Sequence, residues 1–140
     1  MSRARRRWLV PEVVQTSAMD CGPASLKALI EGFHIPVSYG RLREACQTEV
    51  DGTSIDALED VARRVGLDAT QRIVPFDHLF LPESRAYPAV VVVRQPNGIT
   101  HFEVVWSVHR HGGPWDRDGI VQVMDPGAGR RWLSIEEFFE

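Results

Sequence analysis

The sequence predicts an α+β fold, with helices in the N-terminal half packed on an antiparallel sheet formed by the C-terminal half. Apolar residues recur at helical spacing between residues 23 and 66, and the period changes to two after that. The chain has 140 residues, which is enough for one domain with a core of its own. Helices followed by a meander of strands are typical of a fold whose helical and sheet layers are separate.

Three helices are expected in the first half of the chain. The first begins near Pro23, which suits a first helical turn, and its apolar stripe consists of Leu26, Leu29, Ile30 and Phe33. A shorter helix follows over residues 39–46. The third opens with a capping box of Thr53 and Asp56 and ends at Gly66.

The second half is expected to form strands separated by turns that are rich in proline and glycine. The segments with a strand pattern are residues 69–74, 88–93, 99–109 and 120–124. The stretches "QPNG", "HGGPWDRDG" and "DPGAGRR" are turn or loop signals. A final helix is expected to begin after Ser134, with Glu137 completing a capping box.

Charge and composition narrow the classes of function. The net charge is −3, so no basic surface suggests a nucleic acid partner. No window approaches the roughly 18 apolar residues of a membrane span. A basic run at residues 3–7 is followed by only three apolar residues, too few for the core of a signal peptide. We therefore expect a cytosolic start, a loose basic N-terminal extension over residues 1–10, and one domain over residues 11–140.

The two cysteines indicate a reducing compartment, because Cys21 and Cys46 form neither a C-x-x-C pair nor a disulfide framework. Cys21 lies where a loop turns into a helix, and a helix N-terminus stabilises a thiolate. Gly22 gives a weaker signal, since it has no side chain to block a substrate backbone. The Cys21 backbone N–H and the Gln15 side-chain amide are candidate donors to an oxyanion. Cys46 falls on an apolar helical stripe and is expected in the core.

A catalytic base is expected from the strands. His101 lies in "THFEVV", and Asp125 ends the following strand. Neighbouring antiparallel strands run about 4.8 Å apart, so the carboxylate can accept the second ring N–H of the histidine and orient it. Asp116 and Asp118 compete with Asp125 for this role, but they belong to a loop.

The remaining candidates have plainer explanations. Two histidines lie in connections, His34 and His78, and two border a Gly-Gly loop and are expected to face water, His109 and His111. Asp20 is expected to cap the first helix, with orientation of the preceding loop as the alternative. The cysteines and histidines match no short zinc spacing, so neither a metal nor a cofactor is predicted.

Four ordered motifs resemble those of the C39 peptidases, the bacteriocin-processing branch of the papain-like cysteine proteases. "QTSAMDCGPASLKAL" resembles the motif around the nucleophile, and "DGTSIDALEDVARRVGL" resembles a helix that follows DGTS. "THFEVVW" resembles the histidine strand, and "VMDPGAGRRWLSIEEF" resembles the aspartate segment that ends in a helix bearing phenylalanine. The resemblance covers nearly the whole chain and implies a papain-like cysteine protease fold.

The resemblance also implies roles and partners. Cys21 would be the nucleophile and His101 the general base and acid. Asp125 would orient the histidine, and Gln15 would be an oxyanion donor. The implied substrate is a precursor peptide, such as a bacteriocin, cut after a leader that ends in Gly-Gly or Gly-Ala. The implied partners are the transmembrane and ATPase domains of an ABC exporter, on the cytoplasmic side of the bacterial inner membrane, with this fragment itself soluble.

Two other classes of function stay open at this point. A non-catalytic C39-like domain would only bind the export substrate or its leader, and the intact Cys21, His101 and Asp125 argue against it. A papain-like thiol acyl-transferase would share these residues but would require an acyl acceptor other than water.

Overall fold

The helices and strands follow the predicted order in the computed structural model, which describes residues 5–46, 52–81, 84–110, 112 and 118–139. The helices of the first half are α1 (Cys21–Gly32), α2 (Tyr39–Ala45) and α3 (Ile55–Arg64), and a short 3₁₀ helix spans Phe76–His78. The second half contains β1 (Ala89–Arg94), β2 (Thr100–Arg110), β3 (Gly119–Asp125), β4 (Gly129–Ser134) and α4 (Ile135–Phe138). The strands form one antiparallel sheet in the order β1-β2-β3-β4. The expected α+β architecture is confirmed.

The core lies between α1 and one face of the sheet. Trp106 on β2 is fully buried there, in a cluster with apolar residues of the N-terminal segment, α1 and β3. The indole lies so close to the end of α1 that a Cβ built on Gly32 would be 2.3 Å from Trp106 Cη2. Only glycine fits at this position, because no side chain can enter a closely packed core without displacing its neighbour.

A second apolar cluster covers the other face of the sheet. Phe80, from the connection before β1, packs there with Val105, Val121 and Val123. Phe138 of α4 closes the cluster, with its ring centroid 5.4 Å from that of Phe80. The central strands β2 and β3 are therefore covered on both faces, and these two strands carry His101 and Asp125.

Residues 7–10 do not form a loose extension. The Arg7 N–H donates to the Gly32 carbonyl over 2.7 Å, and the Trp106 indole N–H donates to the Arg7 carbonyl over 2.9 Å. Val10 is fully buried and donates its N–H to the Gln122 side chain over 2.7 Å. This backbone supplies the partners that buried polar side chains require. The expectation of a loose basic end is wrong for these residues, and the domain boundary at residue 11 stays a prediction.

The start of α3 differs from the expected capping box by one residue. Ser54 is the N-cap, and its hydroxyl accepts from the Ala57 N–H over 3.1 Å. The Thr53 side chain lies instead against Gly22, where a Cβ would be 2.8 Å from Thr53 Cβ. The predicted pair of Thr53 and Asp56 is therefore wrong, because a tertiary contact takes the threonine side chain.

The strand expected over residues 69–74 is also wrong, since the chain has no regular structure there. The Gln71 N–H donates to the Glu59 side chain over 3.0 Å, and the Gln71 side chain donates to Asp56 over 2.6 Å. Ile73 is fully exposed. The backbone is tied to side chains of α3 rather than to a neighbouring strand.

The last strand, β4, falls on a segment that was expected to be a turn. Its sequence "GRRWLS" lacks a clear period of two, and Trp132 is 46% exposed. The strand forms nonetheless because β3 offers it a hydrogen-bonding edge, with Gln122 opposite Trp132. The final helix follows as expected, and the capping box of Ser134 and Glu137 is confirmed. None of the described helices is long and apolar enough to cross a membrane.

Candidate active site

Cys21 is the first residue of α1, two residues before the predicted helix start. The residue is partly exposed and borders an open cavity of about 100 Å³. The cavity is lined by Cys21, Gly52, Thr53, Val92, Thr100, His101 and Phe102. The fold thus brings the thiol at the start of α1 and the histidine at the start of β2 to the same cavity.

The expected contact between His101 and Asp125 is present. His101 Nε2 lies 2.8 Å from Asp125 Oδ1, and the two side chains are only 9% and 15% exposed. The Gly127 N–H donates to the same carboxylate oxygen over 2.8 Å, so the turn after β3 fixes the position of the carboxylate. Among the described residues, the hydrogen bonding of this ring involves only Nε2.

Gln15 belongs to a loop that is fixed by its own backbone. Its N–H donates to the Pro126 carbonyl over 2.8 Å, and its side-chain Nε2 donates to the Ser17 carbonyl over 2.9 Å. One N–H of the amide is therefore engaged within the loop. Gln15 Oε1 is buried and has no hydrogen-bond partner among the described residues. Gln15 is not among the residues that line the cavity, and its oxyanion role stays a prediction.

Asp20 does not cap α1 through its side chain, contrary to expectation. Its fully buried carboxylate accepts from the Tyr39 hydroxyl over 3.1 Å, and Arg43 Nε lies 3.1 Å from the other carboxylate oxygen. Arg43 and this oxygen are close enough to form an ion pair. Their geometry is not that of a hydrogen bond, so the oxygen has no hydrogen-bond donor in the part of the chain that the structure describes. Both partners belong to α2, so Asp20 ties the loop before Cys21 to the second helix.

The structure shows a packing requirement for glycine at position 22, which the sequence did not predict. The residue is buried, and the space where a Cβ would stand is occupied by the Thr53 side chain. The missing side chain allows α1 to approach the segment before α3. A role of Gly22 in substrate binding stays a prediction.

Cys46 lies in the core as predicted. It is 1% exposed, within a cluster of apolar residues from α1, α2 and α3, and burial raises the pKa of its thiol to about 11. A thiol with this pKa is neutral at physiological pH, and a neutral thiol is a poor nucleophile. Of the two cysteines, only Cys21 borders the cavity.

The other polar candidates stand away from the cavity. His34, His78 and Asp118 are exposed, whereas His111 and Asp116 lie outside the described residues. The expectation that His109 faces water is wrong, because its ring lies between two indoles. The centroid distances are 4.8 Å to Trp8 and 5.8 Å to Trp132.

Glu103 is the residue that sequence reasoning missed. It is partly buried beside the histidine–aspartate pair, and one ligand atom from each of His101, Glu103 and Asp125 lies within 4.8 Å of the other two. Burial raises the pKa of the Glu103 carboxyl, and the charge of Asp125 raises it further. The signal in the sequence is the spacing of two between histidine and glutamate, which places both on one face of a strand.

The same three residues form the group among the described residues that could hold a metal ion. Two of them, His101 and Asp125, are already hydrogen-bonded to each other. Cys46 is not part of this group and belongs to a separate apolar cluster.

Comparison with known proteins identifies relatives of the whole chain. The model of the peptidase C39 family matches residues 10–140. The transport/processing ATP-binding protein ComA of Streptococcus pneumoniae is 32% identical over 128 residues, which are 90% of this chain and 17% of that protein. The pediocin PA-1 transport/processing ATP-binding protein PedD of Pediococcus acidilactici is 26% identical over 133 residues, 95% of this chain. This chain spans 17% of the length of both relatives.

A solved structure shares the fold. It is a double-glycine-motif protease from an AMS/PCAT transporter, in complex with the leader peptide. The TM-score is 0.71 at 24% identity, and the match covers 96% of this chain and 86% of that chain. The likeness confirms the predicted papain-like fold, with helices packed on a four-stranded antiparallel sheet.

Proposed function

This chain belongs to the peptidase C39 family, and we propose that it is a cysteine endopeptidase that removes the leader from a ribosomal precursor peptide by cutting after Gly-Gly or Gly-Ala. The main observation behind the proposal is that Cys21 and His101 line the same cavity, while Asp125 contacts the ring of His101 through Nε2. The relatives named as transport and processing proteins support the class of substrate.

In the proposed reaction, Nδ1 of His101 takes the proton of the Cys21 thiol, and the thiolate attacks the carbonyl carbon of the second leader glycine. The helix N-terminus favours a thiolate at Cys21, the first residue of α1, because the positive end of the helix dipole lies there. Asp125 keeps the proton on Nε2 in the neutral histidine and stabilises the imidazolium that forms. General base catalysis of this kind contributes roughly 10²–10⁴ to a rate.

Attack places a negative charge on the former carbonyl oxygen. The Cys21 N–H and the second N–H of the Gln15 amide are the proposed donors to this oxyanion. The imidazolium then gives its proton to the departing amine of the mature peptide, which leaves a thioester between Cys21 and the leader. Water, deprotonated by His101, hydrolyses the thioester and releases the leader as a carboxylic acid.

The shape of the cavity supports specificity for glycine. Val92, Phe102 and Thr53 contribute apolar or bulky groups to its wall around Cys21. These wall groups leave less room for substrate side chains than for glycine. The rejection of side chains at the residues before the cut is therefore steric.

The proposed partners follow from the relatives. ComA and PedD are named as ATP-binding proteins of transport and processing, and this chain matches a minor part of each. We propose that the domain acts at the cytoplasmic face of a bacterial membrane, with the transmembrane and ATPase domains of an ABC exporter in the same chain or complex.

The test is incubation of the purified chain with precursor peptides that carry a Gly-Gly leader, followed by mass spectrometry of the products. We expect one cut, after the second glycine. Cys21→Ala is expected to abolish the cut and retain leader binding, and Cys46→Ala, the matched control, is expected to keep the cut. Leader binding without cleavage by the unaltered chain, across several cognate precursors, would support the docking function and contradict the peptidase function.

A further inference from the structure

Glu103 stands beside the histidine–aspartate pair without a part in the reaction described above. His101 and Glu103 are two residues apart on β2, so their side chains leave the same face of the sheet. The register between β2 and β3 pairs Val104 with Met124, and its continuation by one residue places Glu103 beside Asp125. The carboxyl of Glu103 thus approaches the imidazole from its own strand, while that of Asp125 approaches from the next.

The surroundings of this carboxyl are defined on every side. The charged and titratable groups that act on it are His101 on β2, Asp125 on β3 and Arg131 on β4. β1 contributes the uncharged Val91 at the position paired with Glu103. Arg131 is shared, since its Nη1 lies 4.0 Å from Asp125 Oδ2. Two carboxylates and one guanidinium leave a net charge of −1 next to the imidazole.

We propose that Glu103 is a positioning residue for the proposed peptidase reaction: its carboxylate stabilises the imidazolium of His101 and thereby favours the thiolate of Cys21. The separation of at most 4.8 Å between the ligand atoms is within the range over which an opposite charge shifts a protonation equilibrium by at least about 1 pH unit. A negative charge beside the imidazole stabilises the imidazolium and therefore favours transfer of the proton from the thiol to the ring.

The effect of Glu103 on the His101 imidazolium depends on pH. Burial and the neighbouring Asp125 raise the pKa of Glu103, so this carboxyl takes up a proton at a higher pH than an isolated glutamate does. When it becomes neutral, His101 keeps only the carboxylate of Asp125, and the imidazolium loses part of its stabilisation. The Glu103 carboxylate therefore stabilises the pair of Cys21 thiolate and His101 imidazolium at neutral pH. This stabilisation is lost as the pH falls and the carboxylate takes up a proton.

The first test measures the titration of the His101 ring nitrogens by NMR, in Cys21→Ala protein with and without Glu103→Gln. We expect Glu103→Gln to lower the pKa of His101 by about 1 unit, the size of shift that one charge at this range produces. Glu103→Asp, which keeps the charge, is expected to retain most of the unaltered value. Glu44→Gln, which removes an exposed carboxylate on α2, is the matched control and is expected to leave the titration unchanged. An unchanged His101 titration in Glu103→Gln would overturn the inference.

A second measurement does not depend on the folding of the variant. In Cys21→Ala protein with Glu103 intact, the His101 nitrogen shifts are expected to respond at the pH where the Glu103 carboxyl carbon titrates, and independence of the two signals would also overturn the inference.

The inference rests on the proposed function only for its effect on rate. There, the alkaline limb of the kcat/KM profile is expected to move to lower pH in Glu103→Gln, by the same amount as the pKa of His101. Absence of cleavage by the unaltered chain would contradict the peptidase function and leave the NMR result intact. Cleavage without a shift in His101 would contradict only the role of Glu103.

Discussion

The backbone N–H of Gln15 donates a hydrogen bond of 2.8 Å to the carbonyl of Pro126, the residue that follows Asp125. The loop that precedes the nucleophile is thereby joined to the turn that follows the carboxylate. On its other side, the same loop is held by α2, because the Thr16 N–H donates to the Tyr39 hydroxyl over 3.1 Å. The two bonds fix the loop between parts of the chain that are distant in sequence.

Removal of the Tyr39 hydroxyl is expected to loosen this loop. Tyr39→Phe deletes the acceptor for Thr16 and the donor to buried Asp20, and we expect kcat/KM for leader cleavage to fall by roughly tenfold. The free energy of unfolding is expected to fall by about 1–3 kcal/mol, since a buried carboxylate loses a partner. Steady-state kinetics and thermal unfolding measure the two effects. Tyr87→Phe, the same change in the cluster around Phe80, is the control, and an equal loss of activity there would contradict a specific role for the loop.

Substitution of the carboxylate partner tests the role of Asp125. In Asp125→Asn the amide oxygen can still accept from both the Gly127 N–H and His101 Nε2–H, but the negative charge that stabilises the imidazolium is lost. We expect kcat to fall by at least about 10² with little change in the melting temperature. Asp68→Asn, at an exposed site after α3, is expected to keep full activity. Wild-type kcat in Asp125→Asn would remove this residue from the catalytic group.

The two thiols are expected to differ in reactivity. Cys21 is partly exposed, whereas Cys46 is 1% exposed with a pKa raised to about 11. Iodoacetamide at pH 7 is therefore expected to alkylate Cys21 at least about 100-fold faster than Cys46, because only an accessible thiolate reacts. Mass spectrometry of digests over time measures both rates, and the rates should become similar in denaturant. Equal rates in the folded chain would contradict an activated Cys21.

Two helical glycines are expected to respond in opposite ways to alanine. Gly32→Ala places a methyl group against the Trp106 ring and is expected to cost about 1–3 kcal/mol of stability. Gly40 on α2 has open space around it, with Ser38 Oγ 3.9 Å away as the nearest atom. Gly40→Ala is expected to stabilise the chain by up to about 1 kcal/mol, because alanine favours helices. Denaturant unfolding measures both, and a neutral Gly32→Ala would show that the packing around Trp106 adapts.

Neutralisation of Glu103 is expected to stabilise the fold while it impairs the ion pair. The pKa of Glu103 is raised in the folded state, so the folded chain binds this proton more tightly than the unfolded chain does. The carboxylate therefore costs stability above its folded pKa, and this cost disappears below the unfolded value of about 4.3. Since the group is partly solvated, Glu103→Gln is expected to raise stability at pH 7 by less than about 1 kcal/mol.

Thermal unfolding at several pH values measures this effect. The gain in melting temperature of Glu103→Gln over the unaltered chain should shrink as the pH falls toward 4, whereas Glu44→Gln should show no such trend. A gain that grows on acidification would contradict the sign of the pKa shift.

Local pattern was sufficient for the elements that bury apolar residues at a regular period. The helices that became α1 and α2 and the strands β1, β2 and β3 were predicted close to their final bounds, because period and burial agree in them. The pattern failed for residues 69–74 and for β4, where the deciding factor was an available hydrogen-bonding partner. A strand forms only where another strand offers an edge of unpaired N–H and C=O groups, and such edges exist only once the sheet has assembled.

The sequence by itself determined which side chains are present for chemistry, and the resemblance of its motifs identified Cys21, His101 and Asp125. The tertiary structure decided which of these side chains meet, because the 2.8 Å contact between His101 and Asp125 depends on the register of two strands. The tertiary structure also placed Glu103 beside His101 and packed Gly22 against Thr53. Electrostatic effects and steric exclusion act over a few ångströms of space, whatever the separation along the chain, and only the folded arrangement sets those distances.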